Sequence, residues 1–352
     1  MFQRLLQIVK LTIAVVVMVM MVTVGVLVLY LPNGQDKPIA DTSPSKPTPT
    51  TWVAQPAWAP KDVNSDLPDG SESDQVRYGY ALITETYKHL GPELDNPQQI
   101  YAGNNLACKN CHLESGTKAG AASFVGVFQR FPQFRGREGK TGTIADRING
   151  CMERSMNGQR LADNSPEMQS MVAYMQWLSE DVPEEAKDRY QGFASINLPN
   201  RAADTLAGKN IYEQRCAICH SDDGLGQRVG EAGDQRGYVY PPLWGADSYN
   251  HGAGMNRLIK AAHFIKGNMP LGSTAERPLL TDEEAYDVAA YVDAHSRPLK
   301  KNTKLDYPDL SLKPVDAPYG PYRDTFPAVQ HQFGPFPPIM SYYETLKETY
   351  EP

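Results

Sequence analysis

The sequence predicts an all-α protein of two tandem, loop-rich domains behind a membrane-spanning helix. Three observations carry that prediction. An apolar run near the N-terminus is long enough to cross a bilayer, a helix-bounded plan occurs twice, and the stretches between those helices hold too much Gly, Pro and Asp to build a core unaided. With 352 residues, 41% hydrophobic and 21% charged, the chain has ordinary globular composition and the length of about two domains. Its net charge of −7 supplies no basic field for a phosphate backbone, so nucleic acid is excluded as a partner.

The first element is residues 1–31. Arg4 and Lys10 precede the apolar run from Leu11 to Tyr30, 20 residues that would rise roughly 30 Å as a helix, the thickness of a bilayer's hydrocarbon core. No small-x-small cleavage site follows in LYLPNGQDK, so the segment reads as an uncleaved signal anchor. Positive charge before the helix keeps the N-terminus cytoplasmic and exports the rest. The expected location is therefore a bacterial inner membrane, crossed once, with the globular part in the periplasm. Residues 32–74 are rich in Pro, Ser, Thr and Asp and read as an extended tether.

The repeated plan begins at residue 75. In the first domain, 75–190, a helical stretch starts at Arg77–Ile83, LACKNCH follows, and a closing helix has Ser165 as N-cap and Pro166 in its first position. In the second, 200–298, LAGKNIYEQRCAICH opens and a helix capped by Thr281 closes. Apolar side chains recur at helical spacing at Met171, Tyr174, Met175 and Leu178, and again at Tyr286, Val288, Ala289 and Val292. Residues 299–352 form a tail rich in Pro, Tyr and Phe, expected to pack along the globular surface.

Four of the five cysteines fall in two Cys-x-x-Cys-His motifs, Cys108, Cys111 and His112, then Cys216, Cys219 and His220. That form attaches a c-type haem: two thiols add to the porphyrin vinyl groups, and the adjacent histidine lies under the iron. Each domain is thus predicted to be a class I-like cytochrome c domain around a covalent haem c, two haems in all. A four-cysteine zinc site would not require the histidines, and a thioredoxin-type disulfide would sit in a βαβ setting that the pattern lacks.

Each iron needs a sixth ligand or an open face. For the second haem, Met269 in HFIKGNMPLGS is favoured because Gly267 and Pro270 make the backbone around it irregular. Met255 is its rival, read as a core residue on a helix through Leu258 and Ile259, while Lys266 is expected in solvent and His263 in packing. For the first haem the candidates are Cys151, Met152, Met156 and Met168. Thr143 as N-cap and Gly158 as stop predict one helix over 144–157, with Arg147, Cys151, Arg154 and Ser155 on one face. Gly150 would let a flat ring approach beside Cys151. A lone cysteine is usually a small buried hydrophobe. Two guanidiniums on the same face suit an iron-bound thiolate better than an apolar core.

Through CKNCH, GCMERSMNG, CAICH and NMP, the region from about Asp74 to Pro298 resembles the dihaem thiosulfate dehydrogenases, cytochromes that couple thiosulfate to tetrathionate. The resemblance implies His112 and Cys151 as axial ligands of haem 1, the catalytic haem. It implies His220 and Met269 for haem 2, the electron-transfer haem. It also implies a substrate pocket using Arg137, Arg147 and Ser155, with Arg154 nearby. Some members carry a lysine before the methionine, where this chain has Asn268. The implied partners are thiosulfate and tetrathionate; the anchor and tether suggest a membrane-bound oxidase, a quinone-linked complex or a small periplasmic cytochrome c as electron acceptor. Two unit charges about 4 Å apart repel by roughly 4 kcal/mol at an effective dielectric near 20, so joining two thiosulfates demands arginines. Three readings compete: the reverse direction as a tetrathionate reductase, a sulfur-transferase cytochrome, and a tethered dihaem carrier without catalysis.

Overall fold

Two crossed helix pairs, one per domain, frame the protein. The computed structural model describes Val16, Met18–Met21 and residues 58–231 and 234–350, with side chains to residue 346. The chain divides into two compact units, Met1–Ala54 and Gln55–Pro352. In the first, Val16 and Met18–Met21 are helical. The rest of the expected anchor and most of the tether lie outside the described residues. Among the described residues no helix is long and apolar enough to cross a membrane.

In the second unit, α1 (Ser71–Thr84) and the short α2 (Thr86–Leu90) open the first domain, which includes α3 (Ile144–Met152) and α4 (Pro166–Trp177). Ser165 caps α4 as expected, its hydroxyl accepting from the Met168 N–H at 3.1 Å. α1 packs along α4 through Gly79, where a Cβ would collide with the Ser170 carbonyl. After α5 (Glu184–Tyr190), the second domain repeats the arrangement. α6 (Thr205–Arg215) crosses α9 (Asp282–Asp293) at Gly208, where a Cβ would collide with the Asp287 carbonyl. Thr281 and Glu284 close a capping box at the start of α9. These paired glycine crossings bring the backbones close enough for each helix pair to wall a core.

Leu82, Ile83, Met171 and Tyr174 belong to the first core. Two smaller clusters in the second domain gather around Leu258, Tyr286 and Ala289, and around Tyr212, Trp244 and Val288. The α7 helix (Ala217–His220) ends in the second Cys-x-x-Cys-His motif, and α8 (Leu258–Asn268) ends at Met269. The all-α expectation needs one correction. Two small antiparallel hairpins are present, β1 (Gln133–Arg135) with β2 (Lys140–Gly142), and β3 (Gln227–Arg228) with β4 (Tyr238–Tyr240).

The tail is also more than a surface wrapping. After α10 (Ala328–Phe333), the chain buries Phe336 and Ile339 completely as it enters α11 (Pro337–Tyr350). Phe336 meets Tyr286 of α9 edge-on at 6.2 Å, so the C-terminal aromatics complete a core of the second domain. Upstream, Asp316 accepts from Arg257 at 2.8 and 2.6 Å and from the Ile259 N–H at 3.1 Å, fixing the start of α8.

Candidate functional site

The two Cys-x-x-Cys-His motifs adopt the same local geometry. In each, the carbonyl of the first cysteine accepts from the N–H groups three and four residues on, at 3.2 and 2.9 Å for Cys108 and at 3.0 and 2.9 Å for Cys216. That turn places both thiols and the histidine together. The His112 Nδ1 lies 2.7 Å from the Ala122 carbonyl, and the His220 Nδ1 lies 2.8 Å from that of Pro241. A carbonyl only accepts, so each Nδ1 carries the proton and each Nε2 keeps a lone pair for a metal. All five cysteines are free, and Cys108 packs on a different core from Cys216, which argues against one shared four-cysteine site. The surroundings fit a haem with its carboxylates. Arg297 lies over Tyr249 at 4.5 Å, and its Nε is buried without a protein partner, a donor that a propionate satisfies.

Cys151 stands on the last turn of α3. Thr143 caps this helix, accepting from the Asp146 N–H at 3.2 Å while Asp146 accepts from the Thr143 N–H at 3.1 Å. The helix stops at Met152 rather than running to Asn157. Asn250 of the second domain is the physical reason: its side chain donates to the Glu153 carbonyl at 2.9 Å and to Asn157 Oδ1 at 3.1 Å, and its N–H to the Arg154 carbonyl at 3.1 Å. Asn157 takes a positive φ of 49°. Asn104, fully buried, adds a further clamp by donating to the carbonyls of Ser155 at 2.9 Å and Ser248 at 3.1 Å. The turn after Cys151 is therefore held across the contact of the two domains. Sequence reading missed both asparagines, because an isolated Asn carries no signal of a partner so far along the chain.

The cysteine itself faces His112 and Arg147. Arg147 Nη1 donates to its Sγ at 2.7 Å. Burial pushes the Cys151 thiol up, but Arg147 and then His112 outweigh it and bring the value down to about 5. Burial acts without such cations on Cys108 and Cys111 and raises them to about 11 and about 12. Of the three thiols in this domain, Cys151 alone is set up as a thiolate. The methionines weighed against it, Met152, Met156 and Met168, are buried in the first core.

The other expected site residues separate into two groups. Arg147 is beside Cys151, as the helical spacing predicts. Arg137, in the β1–β2 turn, donates from Nε to the Tyr307 hydroxyl at 3.2 Å and from Nη1 to the Gly252 carbonyl at 3.1 Å; among the described residues it forms no ion pair, Asp306 acting on it without a bond. Ser155 lies half-buried in the turn after α3. Arg154 is different. It is 6% exposed and donates to Asp306 of the tail at 2.7 Å, while Tyr319 donates to the other oxygen of that carboxylate at 2.7 Å. Its charge is spent inside the protein. The space beside Gly150 is lined by Arg135 Nη2 and Arg154 Nη1, at 3.2 and 3.9 Å from a Cβ built there, rather than being left clear for a flat ring.

In the second domain, Met269 is half-buried at the end of α8. The preceding Asn268 donates to the carbonyls of Gly120 at 2.9 Å and Phe264 at 3.0 Å, tying that end of α8 to the first domain. Met255 lies in a 3₁₀ turn, Gly254–Asn256, ahead of α8 rather than on it. Lys266 pairs with Asp282 at 2.8 Å instead of standing in solvent, and His263 is half-buried with burial lowering its pKa.

Two helix-framed domains, each with a Cys-x-x-Cys-His turn and a histidine held by a carbonyl, define a dihaem cytochrome c. Residues 98–183 match the family model described as SoxA/TsdA, cytochrome c domain, and residues 203–292 match that of cytochrome C oxidase, cbb3-type, subunit III. The thiosulfate dehydrogenase of Allochromatium vinosum is 43% identical over 237 residues, 66% of this chain and 82% of that protein. That of Stutzerimonas stutzeri is 40% identical over 233 residues, 66% of this chain and 71% of that protein. A solved thiosulfate dehydrogenase, TsdBA from Marichromatium purpuratum in its as-isolated form, superposes with a TM-score of 0.60 at 33% identity. That match covers 70% of this chain, which spans 50% of the length of the solved one. The chain belongs to the thiosulfate dehydrogenase family, and it carries two covalently attached haem c groups.

Proposed function

We propose that this chain is a membrane-anchored enzyme that oxidises two thiosulfates to tetrathionate and delivers the electrons to an external acceptor. His112 and Cys151 would hold the iron of one haem, and His220 and Met269 that of the other. The haems supply one-electron acceptors, lowered in potential by a thiolate ligand and raised by a thioether. The observation that carries the reading is Cys151, a thiolate facing His112 and bonded by Arg147 at 2.7 Å.

The reaction joins the terminal sulfurs of two dianions, releases two electrons and moves no proton. It therefore needs cations to bring the anions together rather than a general base. Arg147 and Arg137 supply them, one on the cysteine's helix and one held in position by Tyr307 and the Gly252 carbonyl. Ser155 offers a hydroxyl to a sulfonate oxygen. The Asn104 and Asn250 clamps hold the Cys151 turn still while the anions bind. The Arg4 and Lys10 charges and the Leu11–Tyr30 run support anchoring in the inner membrane, with the haem domains in the periplasm and a periplasmic cytochrome c or membrane-bound oxidase as acceptor.

Full-length dihaem protein supplied with thiosulfate and ferricyanide tests the reading. Two ferricyanides should be reduced for each tetrathionate formed. Ferricyanide reduction without tetrathionate, or none at all, defeats it.

A further inference from the structure

Besides Arg137 and Arg147, a further cation without an ion pair among the described residues comes from the second domain. Lys260, in the first turn of α8, is half-buried and makes no hydrogen bond or ion pair among the described residues. It lies nine residues before Met269, roughly 14 Å along the helix, and Arg147 and Arg137 of the first domain act on it. The charged and titratable groups around it come from every neighbouring element. Arg257 and His263 are on or beside its own helix, Arg147 is on α3, Arg137 is in the β1–β2 turn, and Asp316 is on the tail. Asp316 is already committed to Arg257 at 2.6 Å. Arg137 and Lys260 converge on one short loop. Arg137 donates to the Gly252 carbonyl at 3.1 Å, and a Cβ built on Gly254 would lie 3.9 Å from Lys260 Nζ.

A half-buried ammonium facing two arginines that form no ion pair with a carboxylate among the described residues is unfavourable unless an anion joins them. We propose that Lys260 is a third cationic contact for the thiosulfate dianion, brought to the Cys151 site across the domain contact. This rests on the thiosulfate-oxidising reading above. It also gives the second domain a direct part in binding substrate, beyond holding a haem. Burial and then the neighbouring Arg257, Arg147 and Arg137 bring the Lys260 ammonium down to about 8, with Asp316 opposing. Binding should accordingly weaken as pH rises through that value.

The test uses full-length dihaem protein, wild type against Lys260→Met and Lys260→Arg. Thiosulfate oxidation is followed with ferricyanide, and the reduction potential of each haem is titrated. Loss of one charged contact should raise the KM for thiosulfate about tenfold or more in Lys260→Met. Lys260→Arg should restore it to within about threefold of wild type, and both haem potentials should stay put. In wild type the KM should climb above about pH 8, and Lys260→Arg should flatten that climb. An unchanged KM in Lys260→Met overturns the proposal while leaving the thiosulfate reading intact. A shifted haem potential with unchanged KM also overturns it, assigning Lys260 to a haem carboxylate. Absence of turnover in wild type would instead sink the reading on which the proposal rests.

Discussion

Removing the Arg154 side chain should cost stability rather than substrate affinity. Arg154 and Asp306 are each 6% exposed and 2.7 Å apart; among the described residues Tyr319 is the carboxylate's other hydrogen-bond partner, and Arg137 and Lys313 act on it without a bond. In Arg154→Met the carboxylate keeps its burial but loses its one directly bonded cation among the described residues, a change worth about 3–5 kcal/mol. For a folded unit of this size that lowers the thermal midpoint by roughly 6–10 °C. Replacing both partners by apolar residues, Arg154→Met with Asp306→Leu, removes the orphaned charge, so the double variant should recover much of the loss. Thermal unfolding of the four members of the cycle, with thiosulfate KM measured well below each midpoint, decides the matter. If Arg154→Met keeps its midpoint but raises KM many-fold, the guanidinium serves the substrate and the pairing with Asp306 is secondary.

Two further predictions concern the second domain and the tail. Met269→Leu should lower the potential of the more oxidising haem, because a thioether ligand raises it, while Met255→Leu should leave both potentials unchanged in the same redox titration. The reverse pattern would give the ligand role to Met255. In the tail, His331 lies between two acceptors, its Nδ1 2.7 Å from the Val315 carbonyl and its Nε2 3.0 Å from Asp324 Oδ1. Burial pushes Asp324 up, but Tyr343, His331 and the Phe326 N–H together hold it below the usual carboxylate range. A carboxyl lowered in the folded state adds stability above its unfolded pKa of about 4 and loses it as pH falls through the folded value. Wild type should therefore lose stability below about pH 4 more steeply than Asp324→Asn in denaturant titrations. Parallel pH profiles would refute the assignment.

What the sequence disclosed was the chemistry written in adjacent residues. The Cys-x-x-Cys-His turns and the caps at Thr143, Ser165 and Thr281 depend on neighbours a few positions away, and they stand in the structure as the sequence implies. The spacing that puts Arg147 one turn before Cys151 likewise survives as a direct bond. Features set by distant partners were not legible. The helix holding Cys151 ends early because Asn250 captures the carbonyls of Glu153 and Arg154. Arg154 shares the cysteine's predicted face, yet its charge is cancelled by Asp306, 152 residues on. Lys260 looks like any helix-surface lysine until the fold brings it opposite Arg137 and Arg147. The tail's aromatic content signalled packing, but only the fold shows that it enters a core and reaches the arginines beside the site.

The central claim is that thiosulfate reacts where Cys151 meets its cations. Full-length Cys151→Gly, assayed beside wild type for tetrathionate formed from thiosulfate and ferricyanide, tests it most directly, with haem content measured on the same samples. The account predicts two covalent haems in the variant and a loss of turnover of at least about a hundredfold, the scale of removing a nucleophile or ligand from a reacting site. A variant that keeps both haems and most of the wild-type rate would contradict it.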